Sequence, residues 1–566
     1  MKRKGILFLS LFLAVLLLFS ACAFVTTEPD DSEENEPTVP GETPGEEPGE
    51  EPGEEPADEP GGFFDPLSAE ARAKLDATYQ RKLAGTQAFA AVPKATGTTW
   101  YISSINGNDD YVGNKQNRPW KTLANCADKV KEGDTILFEC GSVFRRTKND
   151  YFIRGLKNNV TLATYGTGAK PIFYGSVNVP ASQWKRVGST DIYYYDGRSL
   201  NLNIYGDVGA IVFNEGEAWG VKTLMTFTDP ETKKNPANKT LALAGVSNGI
   251  TTVDIPSYSF TGGSDLKGDL SFYHDYSSKR VYLRCEGGNP GTRFSSVELS
   301  LSMFAFGMDN NATGITFLNL DFRNFGTHVI RTMNGKNLTV KNCSFRFVGG
   351  AIQSNYGTWR NYYTRLGNAV ENWDSCNGMT VENCYFDQIY DTAMTTQSNS
   401  NVVSTNIVYK NNVAENMWFG VELWTTSNVE FSNVEVSGNY FRKIGEGFTT
   451  QRPDKIDPDT TFSVNAFIKV SGGPYQTKGS FRVTGNIADG TNGKMFFCNY
   501  PESTRCSDGV LFDGNTYVAS TDVDLARLFG KYDKDGGITY PYTAAGIDAV
   551  WKLGIEQNGK FYYIEK

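Results

Sequence analysis

The sequence predicts an all-β chain, a parallel β-helix solenoid with an inserted antiparallel β subdomain, on three observations. One short pattern returns between about Ala312 and Ile487: Gly314-Ile-Thr-Phe317-Leu-Asn319-Leu-Asp-Phe322, Asn337-Leu-Thr-Val340-Lys-Asn342-Cys-Ser-Phe345 and Gly378-Met-Thr-Val381-Glu-Asn383-Cys-Tyr-Phe386. Weaker copies follow at Ile407–Val413, Val434–Phe441 and Val483–Ile487. Each copy alternates apolar and polar residues and is rich in Val, Ile, Phe and Thr, without the 3.6 spacing of a helix, so it reads as short strands. The period is twenty-odd residues with no helix between copies, which suits one coil of a solenoid. Stacked coils place equivalent positions in columns roughly 4.8 Å apart. Asn319, Asn342, Asn383 and Asn411 recur at a corner and are expected to form a buried ladder of side-chain amides.

Residues 1–22 read as an export signal, with basic Lys2, Arg3 and Lys4 before an apolar run from Ile6 to Phe19 that is short for a membrane span. The run ends in Phe19-Ser20-Ala21-Cys22, which resembles the lipobox of bacterial lipoproteins and implies lipidation of Cys22 and a chain held at the outer side of the cell membrane by that lipid. Phe19 departs from the usual Leu, so cleavage by an ordinary signal peptidase stays open. Residues 23–62 are Glu, Pro, Gly and Asp with little to bury, hence a disordered stalk. The formal net charge of −10 is concentrated there, and nothing in the rest suggests a nucleic-acid surface.

Residues 63–97 hold a helix over Ser68–Leu83, with Ser68 as N-cap and Leu75, Tyr79 and Leu83 on one stripe, followed by a connector. In residues 98–180, Trp100-Tyr-Ile, the Gly107-Asn-Asp-Asp110 loop, Arg118-Pro-Trp-Lys-Thr-Leu123, a short helix to Val130 and Gly133-Asp-Thr-Ile-Leu-Phe138 follow one another. This succession resembles the opening of secreted right-handed parallel β-helix proteins. The Asp residues of the loop suit either a turn or a structural calcium ion; no other cofactor or metal is expected. Over residues 181–300 the pattern stops, and Ile192–Tyr195, Ala210–Phe213, Leu270–Asp275 and Arg280–Arg284 alternate as antiparallel strands do. Central coils resume over 301–490. Residues 491–566 complete the solenoid, with a helix over Thr543–Leu553 near an end that must be covered. Of nine Cys, Cys343 and Cys384 share one register and are read as small apolar residues in the wall, not a disulfide.

The residues that carry chemistry follow the strong copies. Gly367-Asn-Ala-Val370-Glu371-Asn-Trp373 is echoed by Gly420-Val421-Glu422-Leu-Trp424. With Val370 and Val421 inward, Glu371, Trp373, Glu422 and Trp424 point out on one face. The intervening coil, Ile389-Tyr-Asp391-Thr-Ala-Met394-Thr395-Thr-Gln397, puts Thr395 in the Glu column and Gln397 in the Trp column, where Gln397 is a candidate substrate ligand beside Trp373 and Trp424. The two Glu backbones then lie roughly 9.6 Å apart, with Asp391 on the adjoining turn. Exposed aromatics form a platform for a sugar ring, and paired acids are what glycoside hydrolysis needs. Asp391 and Glu422 are the favoured pair, with Glu371 as a third acid that raises a neighbour's pKa by repulsion. The excursion from Gln353 to Leu366 offers Tyr356, Trp359, Tyr362, Tyr363 and Arg365 as substrate walls. A second, from Gly445 to Asp454, offers Glu446 as a rival acid, with Gln451, Arg452 and Asp454. The chain has only two His, His274 and His328, so imidazole catalysis is not expected.

The segments Arg365–Trp373, Ile389–Gln397 and Gly420–Trp424 together resemble secreted β-helix proteins grouped with glycan-active enzymes, most nearly glycoside hydrolase family 141, over most of residues 98–566. The resemblance implies hydrolysis of a plant or host polysaccharide, such as xylan or fucosylated pectin; the chain is expected to act as a monomer. Two alternatives remain: a polysaccharide lyase on the same fold, against which stands the lack of a visible Asp cluster or Arg-rich column, and a non-catalytic glycan-binding or adhesive surface protein.

Overall fold

A computed structural model describes residues 64–566 except 203–205, 223–239, 248–249, 257–265, 267, 276–277, 353–357, 360–361, 364, 366, 426–428, 452–464, 473–474, 492–493, 500–510, 530–537, 557 and 566. The described chain is mostly strand, with few helices and large parallel sheets.

The repeats seen in the sequence pair with one another in register. Ten strands, from Thr99–Ile102 through Thr316–Leu318, Lys336–Lys341 and Cys376–Glu382 to Leu511–Asp513, form one sheet. Within it Leu162, Phe317, Val340, Val381, Tyr409, Val436, Val483 and Phe512 stand side by side in parallel strands, and all are buried. A 21-stranded sheet holds a second inward column in which Phe173, Phe322, Phe345, Phe386, Ala414 and Phe441 are neighbours. Its rings stack: Phe322 on Phe345 at 5.2 Å and Phe345 on Phe386 at 5.0 Å. Each such buried ring contributes about 1.5–3 kcal/mol relative to exposure. Thr161 pairs with Thr316 although the whole 181–300 segment lies between them, so the chain leaves the stack and returns to the next row.

The corner corrects the expected amide ladder. Asn319, Asn342, Asn383 and Asn411 have φ of 64°, 49°, 52° and 55°. The same left-handed place is taken by Gly438, Gly485 and Gly514 in later repeats. These positions are filled by Asn or Gly because an ordinary side chain strains there. The ladder runs one residue later. Asn412 Nδ2 donates to Asn439 Oδ1, Asn439 Nδ2 to Asn486 Oδ1 and Asn486 Nδ2 to Asn515 Oδ1, each at 2.9 Å. Glu556 ends the row by accepting from Asn515 Nδ2 at 2.6 Å. Earlier repeats put Leu320, Cys343 and Cys384 at that inward position; both Cys are free and buried.

The 185–284 stretch adds a five-stranded sheet, antiparallel among Lys185–Arg186, Ile192–Asp196, Arg280–Arg284 and Ser271–Asp275 and parallel from there to Val221–Lys222. Val208–Phe213 instead joins the large sheet, antiparallel to Val297–Leu301. A helix, Ala69–Gln87, is capped by Ser68 and buries Leu75 and Tyr79. It is tied down by Arg72 on Asp489 at 2.7 Å and by Tyr79 Oη donating to Glu415 at 2.9 Å. The helix near the far end is Ala544–Lys552, capped by Thr543.

Candidate functional site

Three strands position the central acids. Glu371 pairs with Thr395 and Thr395 with Glu422, while Trp373 pairs with Gln397 and Gln397 with Trp424. The column continues at both ends: Arg331 stands beside Glu371 and Lys469 beside Glu422. Beneath it Ile330, Val370, Met394, Val421 and Ile468 turn inward and are fully buried. The outward row therefore reads cation, anion, hydroxyl, anion, cation.

This face is not the solvated surface that alternation predicts. Glu371 is 2% exposed and Glu422 4%, and burying a carboxylate requires donors. Glu371 accepts from Arg331 Nε at 2.9 Å and from Asn368 Nδ2 at 2.6 Å. Glu422 accepts from Lys469 Nζ at 2.5 Å, Gln397 Nε2 at 2.7 Å and Thr392 Oγ1 at 3.1 Å. Gln397, read as a substrate ligand, thus holds a carboxylate. The two indoles also differ from an open platform. Trp373 and Trp424 stack on each other, with centroids 6.2 Å apart and 29° between planes, so they lean together across the row of Gln397. Both remain half-buried.

Asp391 is 4% exposed and sits in a register shift between Ile389 and Thr392 of the long strand Tyr385–Ser398. Ile389 pairs with Met417 and Thr392 with Phe419, so Tyr390 and Asp391 together oppose Trp418. An extra residue of this kind re-aims side chains, and such bulges recur beside active sites. Thr392, the next residue, donates its hydroxyl to Glu422 and its N–H to Asn368 Oδ1, each at 3.1 Å. Asn368 thereby ties Glu371 to the bulge. Its own N–H donates to His328 Nδ1 at 2.9 Å, and that nitrogen lies 3.1 Å from Glu371. Burial pushes the His328 imidazole down to about 4, against the attraction of Glu371, so it is neutral near pH 7.

Arg365 belongs to another cluster. It is 2% exposed and donates to the carbonyls of Gly350 at 2.7 Å and Gln451 at 3.3 Å, with its guanidinium 4.8 Å from the Tyr390 ring. It is a buried strut and not a solvent-facing wall. Nearby, Asp207 accepts from Lys222 Nζ and from the N–H of Ile352, and its other oxygen lies 2.9 Å from His274 Nδ1. Although burial works against ionisation, Lys222 and His274 hold Asp207 below the usual carboxylate range. Burial pulls Lys222 down to about 8. Gln451 accepts from the Lys222 N–H at 3.0 Å and donates to Gly220 O at 3.0 Å, joining the 185–284 stretch to the repeats.

Glu446 follows Gly445 at the corner two repeats beyond Asp391 and is half-buried. Cys22, Tyr356, Arg452 and Asp454 lie outside the described residues, as do the side chains of Trp359, Tyr362 and Tyr363; the backbone of the last three forms the paired strands Thr358–Trp359 and Tyr362–Tyr363. In the Gly107–Asp110 loop the Asp109 carboxylate accepts from the Lys121 and Thr122 N–H groups and from Thr122 Oγ1, which accounts for it as a turn. Among the described residues no three His, Cys, Asp or Glu converge as metal ligands.

No family model matches the chain. A lacto-N-biosidase of Bifidobacterium longum subsp. longum is 35% identical over 107 residues, which are 17% of this chain. The match spans 6% of that relative's length. Among solved structures, a glycoside hydrolase is similar over 82% of this chain and 97% of its own at 11% identity, with a TM-score of 0.42. The GH136 lacto-N-biosidase from Eubacterium ramulus is similar over 83% of this chain and 68% of its own at 12% identity, with a TM-score of 0.31.

Sequence reasoning missed Arg331, Lys469, Asn368, His328 and Thr392. The first two had a signal: Ile330-Arg331-Thr332-Met333 and Ile468-Lys469-Val470 share the apolar-charged step of Val370-Glu371 and Val421-Glu422. Asn368, His328 and Thr392 had none, because the bonds that join them cross between neighbouring rows of the stack.

Proposed function

We propose that this chain is a carbohydrate-active enzyme that hydrolyses a glycosidic bond, with Asp391 and Glu422 as the reacting pair and Glu371 as the third acid. The observation that carries the reading is a buried Glu422 that accepts from three donors, one row from a bulged Asp391, beside a tryptophan pair. Folding alone gives no reason to bury two carboxylates in one column between two cations, since apolar residues there are cheaper. Glycoside hydrolysis needs one carboxyl to protonate the leaving oxygen and another to activate water or attack the sugar. Glu422, with Lys469, Gln397 and Thr392 all donating to it, serves as the ionised member, and Asp391 as its partner. Trp373 and Trp424 supply aromatic faces for a sugar ring, and Asn368 with Arg331 hold Glu371. The local likeness to a lacto-N-biosidase points to the same reaction class.

The finer reading is a right-handed parallel β-helix of glycoside hydrolase family 141 type. It is exported and lipid-anchored through Cys22, monomeric, divided at the boundaries given above and independent of a catalytic cofactor. Its substrate is a plant or host glycan. Labelled palmitate entering the wild type and absent from Cys22→Ala tests the anchor.

The deciding experiment incubates the protein with a panel of plant and host glycans. New reducing ends without an unsaturated product support hydrolysis. An unsaturated uronate absorbing in the ultraviolet supports elimination instead, for which Arg331 and Lys469 are the cations at hand. Tight glycan binding with no cleavage at all supports a binding protein.

A further inference from the structure

We infer that Thr395 holds the attacking water of this reaction; the assignment rests on the reading of Glu422 as a catalytic carboxylate. Thr395 is the residue between the two acids, paired with Glu371 on one side and Glu422 on the other. Its side chain faces as theirs do, because its neighbours turn the other way. Met394 Sδ accepts from Asn412 Nδ2, and Thr396 Oγ1 lies 3.0 Å from Tyr409 Oη, both inside the stack. Thr395 is 0% exposed, yet its Oγ1 has no hydrogen-bond partner among the described residues.

That contrasts with the rest of the column. Arg331 and Lys469 are spent on Glu371 and Glu422, and Gln397 and Thr392 on Glu422. A buried hydroxyl is normally bonded, because leaving it unmade forfeits its hydration for nothing. A structural residue at this place would be Val, which has the same shape and β-branching without the cost. The hydroxyl offers one donor and two acceptor positions, and a carboxylate offers about four acceptor positions, of which Glu422 has three filled. The remaining position and Thr395 Oγ1 together suit one water molecule.

In the step this geometry serves, Glu422 takes a proton from that water as its oxygen bonds to the anomeric carbon. The bond from that carbon to the leaving oxygen breaks, and the electron pair leaving with the oxygen is met by the proton of Asp391. Thr395 exchanges no proton; it is a positioning residue that fixes the direction of attack.

The test compares wild type, Thr395→Val and Thr395→Ser on p-nitrophenyl β-xyloside, α-L-fucoside and β-lacto-N-bioside and on the polysaccharide panel. On whichever substrate the wild type cleaves, Thr395→Val should lower kcat about a hundredfold with KM within about twofold, and Thr395→Ser should keep most of the turnover. Thermal midpoints decide between positioning and structure. A hydroxyl with no partner among the described residues predicts that Thr395→Val melts no lower than wild type. Turnover of Thr395→Val within about threefold of wild type overturns the assignment and leaves the hydrolase reading standing, as does a midpoint lowered by several degrees. A wild type that cleaves none of these substrates removes the hydrolase reading, and this assignment with it.

Discussion

The Lys469 ammonium donates to Glu422 Oε1 at 2.5 Å from the adjacent strand, with side-chain exposures of 15% and 5%. An ion pair so enclosed is costly to break one side at a time, because the survivor is left charged and dry. Lys469→Met is expected to destabilise the protein by about 3 kcal/mol in urea denaturation. The double variant Lys469→Met with Glu422→Gln should recover part of that loss. Additive losses would mean that the two groups are not coupled.

Replacing either proposed reacting acid by its amide keeps shape and removes the ionisable group. Asp391→Asn and Glu422→Gln should each lower turnover about a thousandfold on an established substrate while glycan binding survives. If both retain near-wild-type turnover, the site lies elsewhere, and Glu446 is the acid at the equivalent corner.

The tryptophan pair makes a separate prediction. Trp424→Ala removes both a stacking partner of Trp373 and an aromatic face, each worth about 1 kcal/mol. Glycan affinity measured by calorimetry should weaken about tenfold. Unchanged affinity would assign the stack to packing alone.

The buried amide ladder predicts a stability effect far from the acids. Asn439 is 0% exposed, accepts from the N–H and Nδ2 of Asn412 and donates to Asn486 Oδ1 and Tyr409 O. Asn439→Ala leaves several of these groups unmade and should cost about 2–4 kcal/mol, read from the denaturation midpoint. A loss well under 1 kcal/mol would show that the row relaxes around the gap.

Acid should weaken the fold through His328. Its folded pKa is pushed down to about 4 from 6.5, so between those values the unfolded chain binds a proton that the folded chain does not. Its contribution is whole above pH 6.5 and is lost as pH falls toward 4. Glu556 acts oppositely: burial raises it to about 7 from 4.5, so its contribution is lost as pH rises through that range. The two offset each other in the wild type, and a variant separates them. His328→Asn keeps an acceptor for the Asn368 N–H, and the stability gap between wild type and variant should narrow by about 3 kcal/mol from pH 7 to pH 4. A gap constant with pH would refute the assignment.

By itself the sequence determined the strands, their repeat and the register of the acids. Apolar-polar alternation and a constant period are local and periodic signals, and each repeat must bury its inward row on the next. Aligning Val370, Met394 and Val421 was therefore enough to place Glu371, Thr395 and Glu422 side by side, as the pairing has them. The corner was legible only in part. Asn319 and Asn342 marked the turn, but whether an Asn there turns the backbone or bonds along the stack depends on a φ angle that composition does not carry. Only tertiary structure decided that the acids are covered, that Arg331 and Lys469 close the column, that Gln397 serves Glu422, and that Arg365 braces a junction with the 185–284 stretch. Burial and ion pairing depend on what a distant segment lays over a face, and no periodicity within a repeat encodes that.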